Sequence, residues 1–219
     1  MIVNNNPIQG VIFDMDGTLV DSIPYHLQSW IIFLEKNGIT IREEDFHAQN
    51  HGTLQEMIMR FFPNEKSADR IYELGEEKEE TFRELYRPHM KEVPGVTPFL
   101  KTLSNQNKSI HLATMGEQDN IDYTIDHIDI RSFFQSLTGG HEVKNGKPDP
   151  EIFLKALDKA QIQAENAIVF EDSSGGIRAA LGAGIPVFGI ATTHTPQELE
   201  NMGCQKAFLN FDEALNYFY

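Results

Sequence analysis

Cysteine is nearly absent. Cys204 stands alone among 219 residues, so no internal disulfide can form and nothing argues for an oxidising compartment. Basic residues are also scarce: 18 Lys and Arg face 33 Asp and Glu, a formal charge of −15. A field of that sign repels phosphodiester backbones and anionic membrane surfaces, which excludes nucleic acid and membrane as partners. No apolar run approaches the roughly 20 residues of a membrane span. The start, Met1-Ile2-Val3-Asn4-Asn5-Asn6-Pro7, lacks the basic and apolar sections of a secretory signal, so the cytoplasm is the expected address. Internal repeats, low-complexity tracts and Gly/Ser linkers are missing too. What remains is 40% hydrophobic and 23% charged, the balance of an ordinary globular protein, with length for one large domain or one domain carrying a smaller insert.

Short runs rich in β-branched and aromatic residues recur at Val11 to Phe13, Ile110 to Ala113, Ala167 to Phe170, Val187 to Ile190 and Ala207 to Leu209. Each is followed by a turn signal and a segment of helical period. Strands alternating with helices predict crossover connections and an α/β, Rossmann-like, mainly parallel sheet covered on both faces. Thr97-Pro98 and Asp149-Pro150 read as helix starts with Pro at the first helical position. From about Asp21 to Glu92 the alternation stops and only helical pattern appears, which predicts an inserted small helical domain over 21–93 between core segments 1–20 and 94–219. Within it Ser22 can cap a helix ending before Gly38, and Thr40 with Glu43 and Thr53 with Glu56 have capping-box spacing. A longer helix runs from near Ser67 to Arg87 and must stop at Pro88.

The strongest chemical signal is Val11-Ile12-Phe13-Asp14-Met15-Asp16-Gly17-Thr18, a buried strand delivering two carboxylates where the chain leaves the sheet. Ligands of open α/β sheets bind there. A calcium loop would need Gly at its sixth position, whereas counting from Asp14 the Gly is fourth. Thr114 and Glu171-Asp172 follow other strands, and Lys147 sits in the Pro-flanked loop Asn145-Gly146-Lys147-Pro148-Asp149-Pro150. Singly these are turn, loop and helix-start residues. Together at one sheet edge they suit phosphoryl transfer. Asp14 attacks phosphorus to give an aspartyl phosphate, and Mg²⁺ held by acids such as Asp172 offsets the charge of carboxylate meeting phosphate. Lys147 and Thr114 hold the non-bridging oxygens, and Asp16 protonates the leaving oxygen and then deprotonates the incoming nucleophile.

These motifs resemble those of the haloacid dehalogenase superfamily of phosphohydrolases and phosphomutases, matched in order by Asp14-Met15-Asp16-Gly17-Thr18, Thr114, Lys147 in Gly146-Lys147-Pro148-Asp149-Pro150, and Glu171-Asp172-Ser173. The resemblance implies Asp14 as nucleophile and Asp16 as acid/base. It also implies Mg²⁺ bound by the Asp14 side chain, the Asp16 backbone carbonyl and the Asp172 side chain, with Glu171 in or near that shell. The helical insert resembles the small cap of the β-phosphoglucomutase-like branch, which closes over the site and excludes water.

Cap residues divide phosphatase from mutase. His26 lies near the stripe Ile23, Leu27, Trp30, Ile31 and Leu34. Lys78 falls on the line Ile71, Leu74, Phe82 and Leu85, where it either snorkels to solvent or points into the cleft. Both match positions that β-phosphoglucomutases use for proton handling and substrate contact. Gly52, Thr53, Met115 and Gly116 are the other expected substrate-binding residues. Two departures count against a mutase. His51-Gly52-Thr53-Leu54-Gln55-Glu56 lacks the arginine that grips a second phosphate, and Met115-Gly116-Glu117-Gln118 places Glu117 where it repels one. The expectation is a Mg²⁺-dependent phosphatase of a small phosphorylated metabolite, a sugar phosphate first, acting as a monomer. The alternatives are β-phosphoglucomutase, inorganic pyrophosphatase and a binding protein without turnover. Gly140 to Lys147 does not have P-loop spacing, and Gly182-Ala183-Gly184 lacks a dinucleotide-binding context. His47 and His51 read as a surface pair rather than zinc ligands, and Cys204 as an unreactive thiol.

Overall fold

A computed structural model describes residues 1–219, the side chain of His47 excepted, so the His47 and His51 pairing lies outside the described residues. The β-branched and aromatic runs form buried strands: β3 (Gly10–Phe13), β4 (Ser109–Ala113), β6 (Ala167–Glu171) and β7 (Val187–Ile190). With β5 (Ser136–Thr138) and β8 (Lys206–Phe208) they make a six-stranded sheet of order β5-β4-β3-β6-β7-β8, parallel throughout. Ahead of it β1 (Ile2–Val3) and β2 (Asn6–Pro7) form a small antiparallel hairpin, turned by Asn4 and Asn5 at φ 52° and 65°. Two consecutive left-handed residues suit the primed turn that a tight hairpin needs, and Asn tolerates it.

The period-two alternation sorts the core into two layers. Phe13 and Phe170 point to one face, with ring centroids 5.4 Å apart, and meet Phe99 of α5 (Val96–Asn105), Ile121 and Ile125 of α6 (Gln118–His127) and Phe211 of α10 (Phe211–Phe218). Ile12 and Val169 point to the other, against α7 (Glu151–Ala160), α8 (Ser174–Gly182) and α9 (Pro196–Asn201). Between β3 and β4 lie α1 (Ile23–Lys36), α2 (Glu43–Gln49), α3 (Leu54–Phe61) and α4 (Ala68–Tyr86). They enclose an apolar cluster of their own around Trp30, Phe33, Phe46, Ile58 and Leu74. The chain enters and leaves this helical insert side by side, since Val93 N–H donates to the Leu19 carbonyl at 2.8 Å.

Several local expectations are corrected. Strand β5 gave no sequence signal, because an edge strand of three residues carries too little apolar pattern. Leu209 lies beyond β8 and is exposed. Helix α2 begins only at Glu43, which moves Thr40 out of the cap position. The Pro starts are displaced: α5 begins at Val96, two residues before Pro98, and Pro150 is the residue preceding α7. Ser22 precedes α1 without a side-chain cap bond, because its hydroxyl is used elsewhere. Lys78 does not snorkel: it is 1% exposed, and the buried face of α4 holds Lys78 and Glu79 beside Leu74 and Phe82. Among the described residues no helix is long and apolar enough to cross a membrane.

Candidate active site

Parallel register aligns the strand ends. Phe13 pairs with Leu112 on one side and Phe170 on the other, so Asp14, Ala113 and Glu171 follow as the next row. Lys147 reaches all three: Nζ donates to Asp14 Oδ1 at 2.6 Å, Glu171 Oε1 at 2.7 Å and the Ala113 carbonyl at 3.4 Å. Ligand oxygens of Asp14, Glu171 and Asp172 lie within 4.8 Å of one another, all three residues buried. Burial pushes the Asp14 carboxyl up to about 7, Glu171 adding to the push and Lys147 opposing it. Asp172 is raised well above the usual carboxylate range by burial, then by Glu171 and Asp14. Burial alone would lower the Lys147 ammonium, but Asp14 and Glu171 outweigh it and raise it. Three acids and one lysine therefore leave negative charge uncompensated, and hard carboxylate oxygens at this spacing suit a small divalent cation.

Backbone geometry makes room for this cluster. Gly17 has φ +85°, and a Cβ there would lie 2.3 Å from Asp172 Oδ2. At Gly176 a Cβ would lie 1.6 Å from Glu171 Oε1. Glu171 Oε2 accepts from the Asp172 and Ser173 backbone N–H at 2.9 and 2.8 Å, and from the Ser173 hydroxyl at 3.0 Å. Thr193 Oγ1 donates to Asp172 Oδ2 at 2.8 Å. A cavity of about 290 Å³ opens over these groups, lined also by Thr114, Met115, Gly52, His51 and His194 and by Ser174 and Gly175 at the start of α8.

Asp16 does different work from Asp14. Its carboxylate turns toward the insert, where Oδ1 accepts from the Ser22 hydroxyl at 2.6 Å and faces His26 Nε2 at 3.3 Å. Although burial pushes it up, His26 and Ser22 hold its carboxyl below the usual value. The Asp16 side chain thus stands outside the acidic cluster of Asp14, Glu171 and Asp172. His26 stacks on Phe82, with centroids 3.6 Å apart, and its Nδ1 faces Lys78 Nζ at 3.0 Å. Lys78 Nζ donates to Glu79 Oε1 at 2.9 Å, and Glu79 Oε2 accepts from Asn120 Nδ2 at 2.6 Å. This polar line runs from the sheet edge through α4 and back to α6. Met115 and Gly116 line the second cavity along it, together with His26, Lys78 and Gly52.

Thr53 is the expected site residue that the fold uses otherwise. It caps α3, its hydroxyl accepting from Glu56 N–H at 3.1 Å and its own N–H donating to Glu56 Oε2 at 2.6 Å, and it lines neither cavity. The same Glu56 oxygen accepts from Gly146 N–H at 3.2 Å, joining the loop at Gly52 to the loop of Lys147. Sequence reasoning gave no site role to Glu79, Asn120, Thr193 and His194, read Ser22 only as a helix cap and included Ser173 only as part of the Glu171-Asp172-Ser173 motif. Ser173 carried a usable signal, a cap-type residue between a strand-end acid pair and a Gly-containing helix start. Burial also pushes the Cys204 thiol up to about 12, in keeping with an unreactive cysteine.

A parallel sheet with an acid pair on its central strand, a lysine bridging two strand ends and a helical insert above them defines a class of phosphoryl-transfer enzymes. Residues 11–190 match the family model of haloacid dehalogenase-like hydrolases, and the chain belongs to that family. It is 33% identical over 189 residues to a phosphorylated carbohydrates phosphatase of Thermotoga maritima, covering 84% of this chain and 85% of that one. A HAD hydrolase of family IA, variant 3, from Entamoeba histolytica superposes with a TM-score of 0.83 at 30% identity, over 94% of this chain and 95% of that one. A β-phosphoglucomutase from Clostridium difficile superposes with a TM-score of 0.81 at 25% identity, over 94% and 92%.

Proposed function

We propose that this chain is a Mg²⁺-dependent phosphatase of a small phosphorylated carbohydrate, working through an aspartyl phosphate on Asp14. The observation that carries the reading is the separation of the two motif carboxylates, Asp14 held by Lys147 at the sheet edge and Asp16 turned to Ser22 and His26. The likeness to the phosphorylated carbohydrates phosphatase supports the substrate class. Residues 21–93 act as the cap and residues 1–20 with 94–219 as the core, a division supported by the paired crossings at Leu19 and Val93. A monomer in the cytoplasm completes the proposal, the single, buried cysteine leaving no disulfide to form.

The Asp14 and Asp172 side chains and the Asp16 carbonyl would hold Mg²⁺, with Glu171 beside them, and the cation when bound lowers the repulsion between carboxylate and phosphate. Asp14 attacks phosphorus as the bond to the sugar oxygen breaks. Lys147 and Thr114 hold the non-bridging oxygens where charge spreads. Asp16 passes a proton, drawn from the facing His26, to the leaving oxygen. It then takes a proton from the water that cleaves the aspartyl phosphate. Phosphatase is favoured over mutase because the nearby arginine, Arg60, is spent on the Gln49 and His51 carbonyls at 2.6 and 3.0 Å. Glu117, whose carboxyl burial pushes up, accepts from Gln55 Nε2 at 3.2 Å.

The test incubates purified protein with Mg²⁺ and β-glucose 1-phosphate, following phosphate and glucose 6-phosphate in parallel with and without glucose 1,6-bisphosphate. Phosphate release is expected. Formation of glucose 6-phosphate primed by the bisphosphate would replace this reading with a mutase. Asp14→Asn should lower turnover by at least roughly a thousandfold, and full activity in that variant would remove Asp14 as the nucleophile.

A further inference from the structure

We propose that the cavity beyond Asp16 selects an uncharged, hydroxyl-bearing leaving group, and that Glu79 sets this selectivity by cancelling the charge of Lys78. Given the phosphatase reading, on which this rests, phosphate lies over Asp14 and the leaving group lies past Asp16. There a second cavity of about 180 Å³ has a polar wall of Asp16, His26, Lys78, Glu79 and Asn120 and an apolar wall that includes Trp30. It is smaller than the roughly 300–1,000 Å³ of pockets that hold drug-sized ligands, and suits a short polyol.

The charges of this wall are already balanced. Lys78 and Glu79 are both buried and meet at 2.9 Å. Asp16 faces His26 at 3.3 Å. Even with His26 charged, two cations stand against two carboxylates. Behind them Arg83 donates to Asn120 Oδ1 at 2.8 Å and pairs with Glu76 at 3.8 Å. A second phosphate or a carboxylate entering here would be stripped of water without gaining an unbalanced cation, which is strongly unfavourable. Sugar hydroxyls lose little, since they both donate and accept, and Lys78, Glu79 and Asn120 present both kinds of partner. Trp30, 5.2 Å from Lys78 Nζ at its ring centroid, offers a flat surface for the carbon skeleton.

Trp30 is the single tryptophan of the chain and reports binding directly. In an Asp14→Asn background, which stops turnover, its emission is titrated with Mg²⁺ present against sorbitol 6-phosphate and 6-phosphogluconate, two open six-carbon monophosphates differing by a hydroxymethyl or a carboxylate at the far end. Sorbitol 6-phosphate should bind more tightly by on the order of tenfold or more. Adding Glu79→Gln should shrink or reverse that ratio by freeing Lys78, and adding Lys78→Gln should widen it by leaving Glu79 unpaired. The two shifts have opposite sign, so either variant carries the test if the other fails to fold. Equal or tighter binding of 6-phosphogluconate by the parent, a ratio unmoved by the folded variants, or no response to either ligand would overturn the proposal. Phosphate release from sorbitol 6-phosphate by the unsubstituted protein is measured alongside. Its absence with binding selectivity intact removes the phosphatase reading and leaves the charge selection standing.

Discussion

Replacing Asp14 with asparagine should stabilise the metal-free protein by an amount that grows with pH. The Asp14 carboxyl loses its proton near 3.8 when exposed, whereas in the folded chain burial pushes it up to about 7 despite Lys147. Between those values the folded state holds a proton that the unfolded state has released. A raised folded value means stability is present at low pH and is lost as pH climbs toward 7. Each pH unit well inside that window is worth about 1.4 kcal/mol, and the slope halves at pH 7, so the wild-type protein loses about 2 kcal/mol from this group between pH 5 and pH 7. Asparagine does not titrate, and it also relieves Asp172, which Asp14 helps to raise. The stability difference between the two proteins should therefore move by about 2 kcal/mol in favour of the variant. At about 2–4 °C per kcal/mol for a chain of this size, that is about 4–8 °C in Tm. Urea or thermal unfolding in EDTA at pH 5, 6, 7 and 8 measures it, and groups remote from Asp14 cancel. Millimolar Mg²⁺, which favours charged carboxylates, should stabilise the wild-type protein selectively and close the gap. A difference that stays flat from pH 5 to pH 8 in EDTA would refute the account of a crowded, under-compensated acid cluster.

Two further outcomes test other parts of the molecule. His111 is buried on β4, with Nδ1 2.8 Å from the Ser136 hydroxyl and Nε2 without a partner among the described residues, and burial holds its imidazole below the usual value. The unfolded chain gains a proton there first, so stability should fall as pH drops below about 6.5. His111→Leu should flatten that acid-side loss in denaturant titrations, and matching slopes for the two proteins between pH 6.5 and pH 5 would rule it out. Gly176→Ala places a Cβ against Glu171 and should cost about 1–3 kcal/mol of stability. Calorimetric titration should also show weaker Mg²⁺ binding, and an unchanged affinity would take Glu171 away from the cation.

The sheet and the acids at its edge were legible because each rests on local pattern: a buried run such as Val11 to Phe13 announces a strand, and the residue after it must leave at the carboxyl end. The insert was legible for the same reason, as a stretch where period two disappears. Less visible was everything set by tertiary contact. Lys78 reads as a surface lysine or a cleft lysine until Glu79 and His26 are placed around it. The hydroxyl of Ser22 reads as a cap until Asp16 competes for it. Thr53 looked like a substrate contact because it lies in the cap loop His51 to Glu56, yet its hydroxyl was already committed to α3 by the Thr53 and Glu56 spacing. The edge strand β5 shows the opposite limit, where pairing with β4 creates a strand from residues with little β pattern of their own.

The three partners of Lys147 bear on assembly as well as on chemistry. They come from three strands that meet only in the native alignment, and a shift of β3 by one residue would turn Asp14 to the opposite face. The lysine would then be left in the interior beside mismatched groups, with its charge uncompensated. An incorrectly paired sheet thus forfeits the ammonium's contacts at one stroke, so the lysine proposed to bind phosphate also proofreads the alignment of the strands beneath it.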